Sequence, residues 1–288
     1  MPFDSNSIAQ MDKQRTDEYS GPRRAESAMN ISREEAWALK VYKRLSERQG
    51  LSDFQKTEGP NGQWISSGER ARDTEYIQRF DGQHTTSGDV RGDLVEDLLT
   101  VEMERADWFG GSVFRTTRYD DVVNGVDAVV EWDAEEESDL CPRLAVDITA
   151  SSQPEVLRKK LGRLFGGAKV KYFTSEFEMN ADGEPESYSL VDIPLVILAV
   201  DRRRVPELAR HAIANKKQEE VEEEVGGGTR LARVDTVGKR AFSDHPLKQE
   251  LLHQAAEQLD LHLAVWGSRL LEAASLARHA PASFAVRL

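Results

Sequence analysis

The stretch PRLAVDIT (142–149), read together with GVDAVVEW (125–132), decides the fold of this chain. Each is an apolar, β-branched run of strand length, and each carries one carboxylate, Asp147 near the exit of one and Asp127 at the entrance of the other. A carboxylate in a strand fit for a core is costly unless something cationic meets it. Side chains at i and i+2 share a face, so Asp147 goes with Thr149, and Asp127 with Val129 and Glu131. If the strands are neighbours, the two aspartates meet only when the strands run antiparallel, as a short connection through the acidic 133–141 segment gives.

Working outward, residues 91–107 read as a helix, with strands near 112–117, 125–132 and 143–149. A helix near 154–165 follows, then strands near 168–177 and 193–200. That order is α-β-β-β-α-β with one extra strand or hairpin before the last, an α/β layer on a mixed sheet. IPLVILAV (193–200) is apolar at nearly every position and reads as a central strand covered on both faces.

Helical spacing adds two inward charges. On 91–107, Leu94, Val95, Leu98, Leu99, Val101, Met103 and Ala106 spread over half the circumference with Glu102 near the middle, whereas Glu96, Asp97 and Glu104 fall opposite. On 154–165 the apolar arc is Val156, Leu157, Leu161, Leu164 and Phe165; Lys160 lies within it and Lys159 points away. Paired carboxylates repel, and a hard divalent cation such as Mg²⁺ is the common remedy. A nearby lysine can hold a water or neutralise charge developing on phosphate.

GVDAVVEW followed by LAVDIT, between a Glu-bearing and a Lys-bearing helix, resembles the PD-(D/E)xK nuclease superfamily, the restriction-endonuclease-like fold with an α-β-β-β-α-β core. The resemblance covers 91–201. It implies metal-assisted hydrolysis of nucleic-acid phosphodiester bonds, with DNA foremost as substrate and Mg²⁺ or Mn²⁺ as cofactor. Asp127 and Asp147 would bind the metal with the Ile148 carbonyl, and Glu102 would support the site. The lysine expected two residues after the second acid is replaced by Thr149. Some members carry it on the following helix, which here points to Lys160, with Lys159 less well oriented. Arg158, Arg163, Lys169 and Lys171 are then available for phosphate contacts.

Each carboxylate also has an ordinary reading. Asp127 is a turn residue after Asn124-Gly125, Asp147 a strand-end cap, and Glu102 with Lys160 a structural ion pair. The replaced lysine and the acidic balance accordingly leave open a noncatalytic interaction or assembly scaffold that keeps a nuclease-like core.

The remaining chain bounds these readings. The 288 residues, 39% apolar and 31% charged, suit a folded core, and no run approaches the roughly 18 apolar residues of a membrane span. A net charge of −13 argues against sequence-blind coating of nucleic acid but permits a local basic groove. One cysteine, Cys141, excludes an internal disulfide, and the N-terminus lacks a secretory pattern, so a cytoplasmic protein is expected, with room for a homo-oligomer. Neither HExxH nor a phosphate-cradling glycine motif occurs.

Residues 1–30 read as a loose arm, and 31–90 as one capped helix (33–49, Ser32 with Glu35 as capping box) followed by polar, irregular chain. Residues 202–288 read as a helical extension in which an acidic helix through 218–224 breaks at Gly226–Gly228. Helical additions are thus expected at both ends of the core.

Overall fold

The structure is a computed structural model that describes residues 31–60, 62–84, 90–134, 141–151, 153–225 and 228–279. The expected arm 1–30, most of the acidic 133–139 loop and the Gly226-Gly227 break lie outside the described residues.

A mixed sheet of four strands forms the centre: β1 (Ser112–Arg115), β2 (Ala128–Glu131), β3 (Arg143–Thr149) and, after two intervening strands, β6 (Leu195–Ala199). β1 to β2 and β2 to β3 are antiparallel, whereas β6 runs parallel to β3 with Val146 opposite Val196. Six of the seven β3 residues are buried, which is why that stretch reads as an unbroken apolar run.

The period of two sorts the sheet into faces. Ala128, Val130, Leu144, Val146, Val196 and Leu198 pack against α1 (Arg33–Leu45), α3 (Val90–Arg105) and α5 (Val205–Ala214). Val129, Ala145, Leu195 and Ile197 pack on the other side against Val170, Phe173 and Leu190. Those three come from a separate antiparallel hairpin, β4 (Ala168–Met179) and β5 (Pro185–Ile193). A short helix, α4 (Pro154–Leu161), leads from β3 toward that hairpin. The architecture is therefore α/β with helices on one face and a β-hairpin layer on the other.

Ser32 starts α1 as expected: its hydroxyl accepts from Glu35 N at 3.1 Å and Glu35 Oε2 accepts from Ser32 N at 2.7 Å. Glu35 also takes Arg91 Nε at 2.6 Å, fastening α1 to the start of α3.

Several expectations are corrected. Polar residues 67–84 form a helix, α2 (Ser67–His84); it buries so little, Phe80 chiefly, that no apolar stripe advertises it. The acidic segment after α5 is not a helix but β7 (Lys216–Val225), paired antiparallel with β8 (Gly228–Val237) from Lys216 opposite Val237 to Val225 opposite Gly228. Strand pairing with a β-branched partner there overrides the helix propensity of glutamate. The C-terminal extension is consequently a hairpin and one helix, α6 (Pro246–His279).

β6 is buried on both faces but lies at the edge of its sheet, not at its centre. Its outer edge is closed by side chains of α6. Gln254 accepts from Ala199 N and donates to Ala199 O, at 3.0 and 3.2 Å. One helical turn on, Gln258 does the same for Ile197, at 2.8 and 2.9 Å. His262 Nε2 lies 2.7 Å from Leu195 O. Residues spaced by four on a helix thus match residues spaced by two on a strand, and satisfy an edge that would otherwise template another chain. Among the described residues no helix is long and apolar enough to cross a membrane.

Candidate active site

The aspartates of the two diagnostic strands come together at one end of the sheet. Gly125, at φ +62°, ends a π-helical turn (Asp120–Asn124) in a left-handed conformation that favours glycine, and so turns the chain into β2. Asp127 N then donates to Val146 O at 2.8 Å, and Thr116 N donates to Asp127 O at 3.0 Å. Extending the β2–β3 register by one residue from Ala128–Val146 sets Asp127 opposite Asp147. Asp127 Oδ2 also accepts from Ile148 N at 2.6 Å.

Lys160 reaches back from α4 to this place. Its Nζ forms an ion pair with Asp147 Oδ1 and lies 3.5 Å from Ile148 O. Arg163 Nη1 approaches Asp147 Oδ2 at 3.2 Å, and its Nη2 donates to the carbonyls of Asn124 and Gly125. Asp127 and Asp147 are both almost wholly buried. Lys160 thus meets Asp147 and approaches the Ile148 carbonyl.

Glu102 is not among them. It is fully buried on the inner side of α3, where its Oε1 accepts the Tyr42 hydroxyl at 2.7 Å, and burial pushes its carboxyl up to about 7. The partner that meets this inward glutamate is a tyrosine of α1, while Lys160 pairs with Asp147. The acid that α3 delivers to the aspartates is Glu96, read from helical spacing as outward-facing.

Glu96, Asp121 of the π turn and Asp127 place one carboxylate oxygen each within 4.8 Å of one another. Arginines surround this triad. Arg48 pairs with Glu96 and, at 3.0 Å, with Asp121. Arg115 Nη2 lies 2.9 Å from Glu96 and Nη1 2.5 Å from Asp97, while Arg118 spans Asp121 at 2.5 Å and Asp81 of α2 at 2.9 Å. Asp97, also read as outward, is buried by this network. Neither Glu96 nor Asp121 carried a local signal, because their inward side is lined by arginines from just beyond α1, from β1 and from the turn before Asp120, all distant or irregular in sequence.

Electrostatics follow from burial and crowding. Burial first, and then the charges of Glu96, Asp121 and Asp147, raise the Asp127 carboxyl well above the ordinary range, with Lys160 opposing. Burial and the Asp121 charge push Glu96 up to about 7 against the pull of Arg48 and Arg115. The donors here are all carboxylate or carbonyl oxygens, the set preferred by Mg²⁺ and Mn²⁺ rather than by zinc.

The apolar arc expected on α4 is only partly inward. Leu164 is buried, but Leu161 and Phe165 are 45% and 37% exposed, since the helix ends at Leu161 and a 3₁₀ turn (Leu164–Gly166) redirects the chain. No family model, curated protein or solved structure matches this chain.

Proposed function

We propose that this chain is a divalent-metal-dependent nuclease on a restriction-endonuclease-like core, with its lysine moved from the strand to the following helix. The observation that carries the reading is the contact of Lys160 Nζ with Asp147 and its approach to the Ile148 carbonyl. An ammonium there takes the place left empty by Thr149. The element order α3-β1-β2-β3-α4-β6, with the β4–β5 hairpin inserted before the last strand, supports the core assignment.

Asp127, Asp147 and the Ile148 carbonyl would hold Mg²⁺ or Mn²⁺, with Glu96 and Asp121 adding negative charge beside them. When bound there, such a cation would polarise a phosphoryl oxygen and acidify a water. Lys160, its ammonium held by Asp147, would orient a water and neutralise charge on the phosphate. Arg163, tied to Asp147 and to the carbonyls of Asn124 and Gly125, stiffens the Asp127 turn and offers its exposed side to a nucleic-acid phosphate, DNA foremost.

A second reading, an interaction scaffold with a disused core, is favoured by one feature: Arg48 and Arg115 already neutralise Glu96 and Asp121 from within the chain. Calorimetric titration of Mg²⁺ and Mn²⁺, run beside cleavage of labelled single- and double-stranded DNA, separates the two. The nuclease binds metal and cleaves, and Asp147→Ala loses both. A chain that neither binds metal nor cleaves is the scaffold.

A further inference from the structure

We infer a second binding site, for a guanine base, in the cleft between the 57–66 loop and β4, a site that stands whether or not the carboxylate triad holds a metal. The cleft encloses about 170 Å³ and is lined by Trp64, Ile65, Glu69, Lys171 and Ser189 with Pro60 and Gln63.

Its apolar wall is an indole left in water. Trp64 is 65% exposed, yet its backbone is held firmly. Gly59 N donates to Gln63 O at 2.7 Å and Ile65 N to Thr57 O at 2.8 Å, on either side of it. Glu58 bridges both Trp64 and Tyr188 of β5, exchanging backbone bonds with Ser187 and Ser189 at 3.0 and 2.8 Å. Arg70 Nη1 further ties Ile65 O to α2 at 2.7 Å. A large aromatic side chain held out into water by a fixed backbone leaves apolar area that a stacked planar partner would bury.

The polar wall is equally fixed. Lys171 Nζ lies 2.7 Å from Glu69 and 2.6 Å from Asp73, and sits 5.1 and 5.5 Å from the ring centres of Tyr119 and Tyr172. Tyr172 Oη donates to the same Asp73 oxygen at 2.6 Å, and Ser189 Oγ donates to Lys171 O at 2.8 Å. Asp73 and Glu69 Oε1 both pair with the Lys171 ammonium, and of the two Glu69 borders the cleft. The wall offers the remaining acceptor positions of the Glu69 carboxylate, whose Oε1 is already paired with Lys171, and the third N–H of that ammonium. Guanine presents the complement on its Watson–Crick edge: N1–H and N2–H as donors for a carboxylate, and O6 as acceptor for an ammonium. Adenine supplies one donor and one acceptor, cytosine one donor and two acceptors, and uracil a lone donor between two acceptors, so each leaves a polar group unpaired.

The cleft has a defined place relative to the proposed active site. α2 carries Glu69 at the cleft and Asp81 at Arg118, the partner of Asp121, and 12 residues of helix advance about 18 Å. At about 3.4 Å per stacked nucleotide, that is the length of roughly five nucleotides.

The test is titration of the full chain with GMP, IMP, AMP, CMP and UMP in metal-free buffer containing a chelator, read by tryptophan fluorescence and calorimetry. GMP should bind tightest, IMP, which lacks the N2 amino group, several-fold weaker, and the others weaker still. Trp64→Ala should cost about tenfold or more in GMP affinity, since one base–aromatic stack is lost. Glu69→Gln should level GMP with AMP, and Asp127→Asn should leave GMP binding unchanged. A seven-nucleotide oligothymidylate with one central guanine, compared with its adenine counterpart, distinguishes a base in a strand from a free nucleotide; tighter binding than GMP assigns the strand, equal binding the nucleotide. Equal binding of all five mononucleotides, or GMP affinity unchanged in Trp64→Ala with its circular dichroism intact, overturns the inference. The outcome is independent of cleavage, so loss of one reading leaves the other measurable.

Discussion

The ammonium of Lys160 on α4 lies against the carboxylate of Asp147 on β3, 13 residues earlier in the chain, and within 3.5 Å of the carbonyl of the next residue, Ile148. Removing it while keeping Asp147 separates metal binding from the chemical step. For Lys160→Met the expected result is retained Mg²⁺ or Mn²⁺ affinity with cleavage lower by about 10² to 10⁴, the range typical of a positioned acid–base group. Calorimetry and a gel-based cleavage assay on the same preparation check it. Cleavage at parental rates in Lys160→Met would remove Lys160 from the reaction.

Arg48 stands where a cation between Glu96 and Asp121 is needed. Arg48→Met should destabilise the fold by about 2 to 3 kcal/mol, less than breaking an isolated buried pair because Arg115 and Arg118 remain. If the triad accepts a divalent ion, Mg²⁺ or Mn²⁺ should raise the melting temperature of Arg48→Met more than that of the parent chain, because binding to the native state alone stabilises it. Thermal melts with and without the ions decide the matter; no differential rise means the triad does not take up the lost charge.

The parts of this molecule legible in its sequence are those governed by local period. Burial of alternate and consecutive apolar residues announced β2, β3 and β6, and the Ser32–Glu35 capping box announced the start of α1. Asp127 and Asp147 were visible because a carboxylate interrupts an apolar strand, and Lys160 because it interrupts an apolar arc. Glu96 and Asp121 were not, since what draws each inward is an arginine brought from elsewhere by the fold, Arg48 from just beyond α1 and Arg115 from β1. The same limit explains β7, whose glutamates favour a helix until β8 is in place.

Glu102 supplies a pH signature. Its folded carboxyl titrates at about 7, above the ordinary 4.5 of the unfolded chain. A raised carboxyl contributes stability that is fully present below the unfolded value and is lost as pH rises from about 4.5 through about 7. Replacing it by Gln, which keeps the size and a bond to the Tyr42 hydroxyl, should remove this loss, so that Glu102→Gln gains on the parent by about 2 to 3 kcal/mol between pH 4.5 and pH 8. Urea denaturation at the two pH values measures it. Glu96, Asp120 and Asp127 are raised too, so the variant keeps a residual slope in the same direction. Identical pH dependence in both proteins would mean Glu102 does not titrate in this window.

The glutamine ladder of α6 predicts a failure mode of the sheet. Gln254 and Gln258 each satisfy one backbone N–H and one C=O of β6, and leucine at either position can fill the volume but not make the bonds. Each unpaired buried backbone group costs about 1 to 3 kcal/mol, so Gln258→Leu alone should lose about 2 kcal/mol or more in urea denaturation. With Gln254→Leu added, the β6 edge from Ile197 to Ala199 offers its hydrogen-bonding groups to any strand that arrives, including one from another copy of the chain. Light scattering after size-exclusion chromatography should then show a shift toward larger species relative to the parent, growing with protein concentration. If the double variant keeps both the parental stability and the parental size, α6 does not hold the edge closed through these side chains, and burial beneath the helix suffices to guard it.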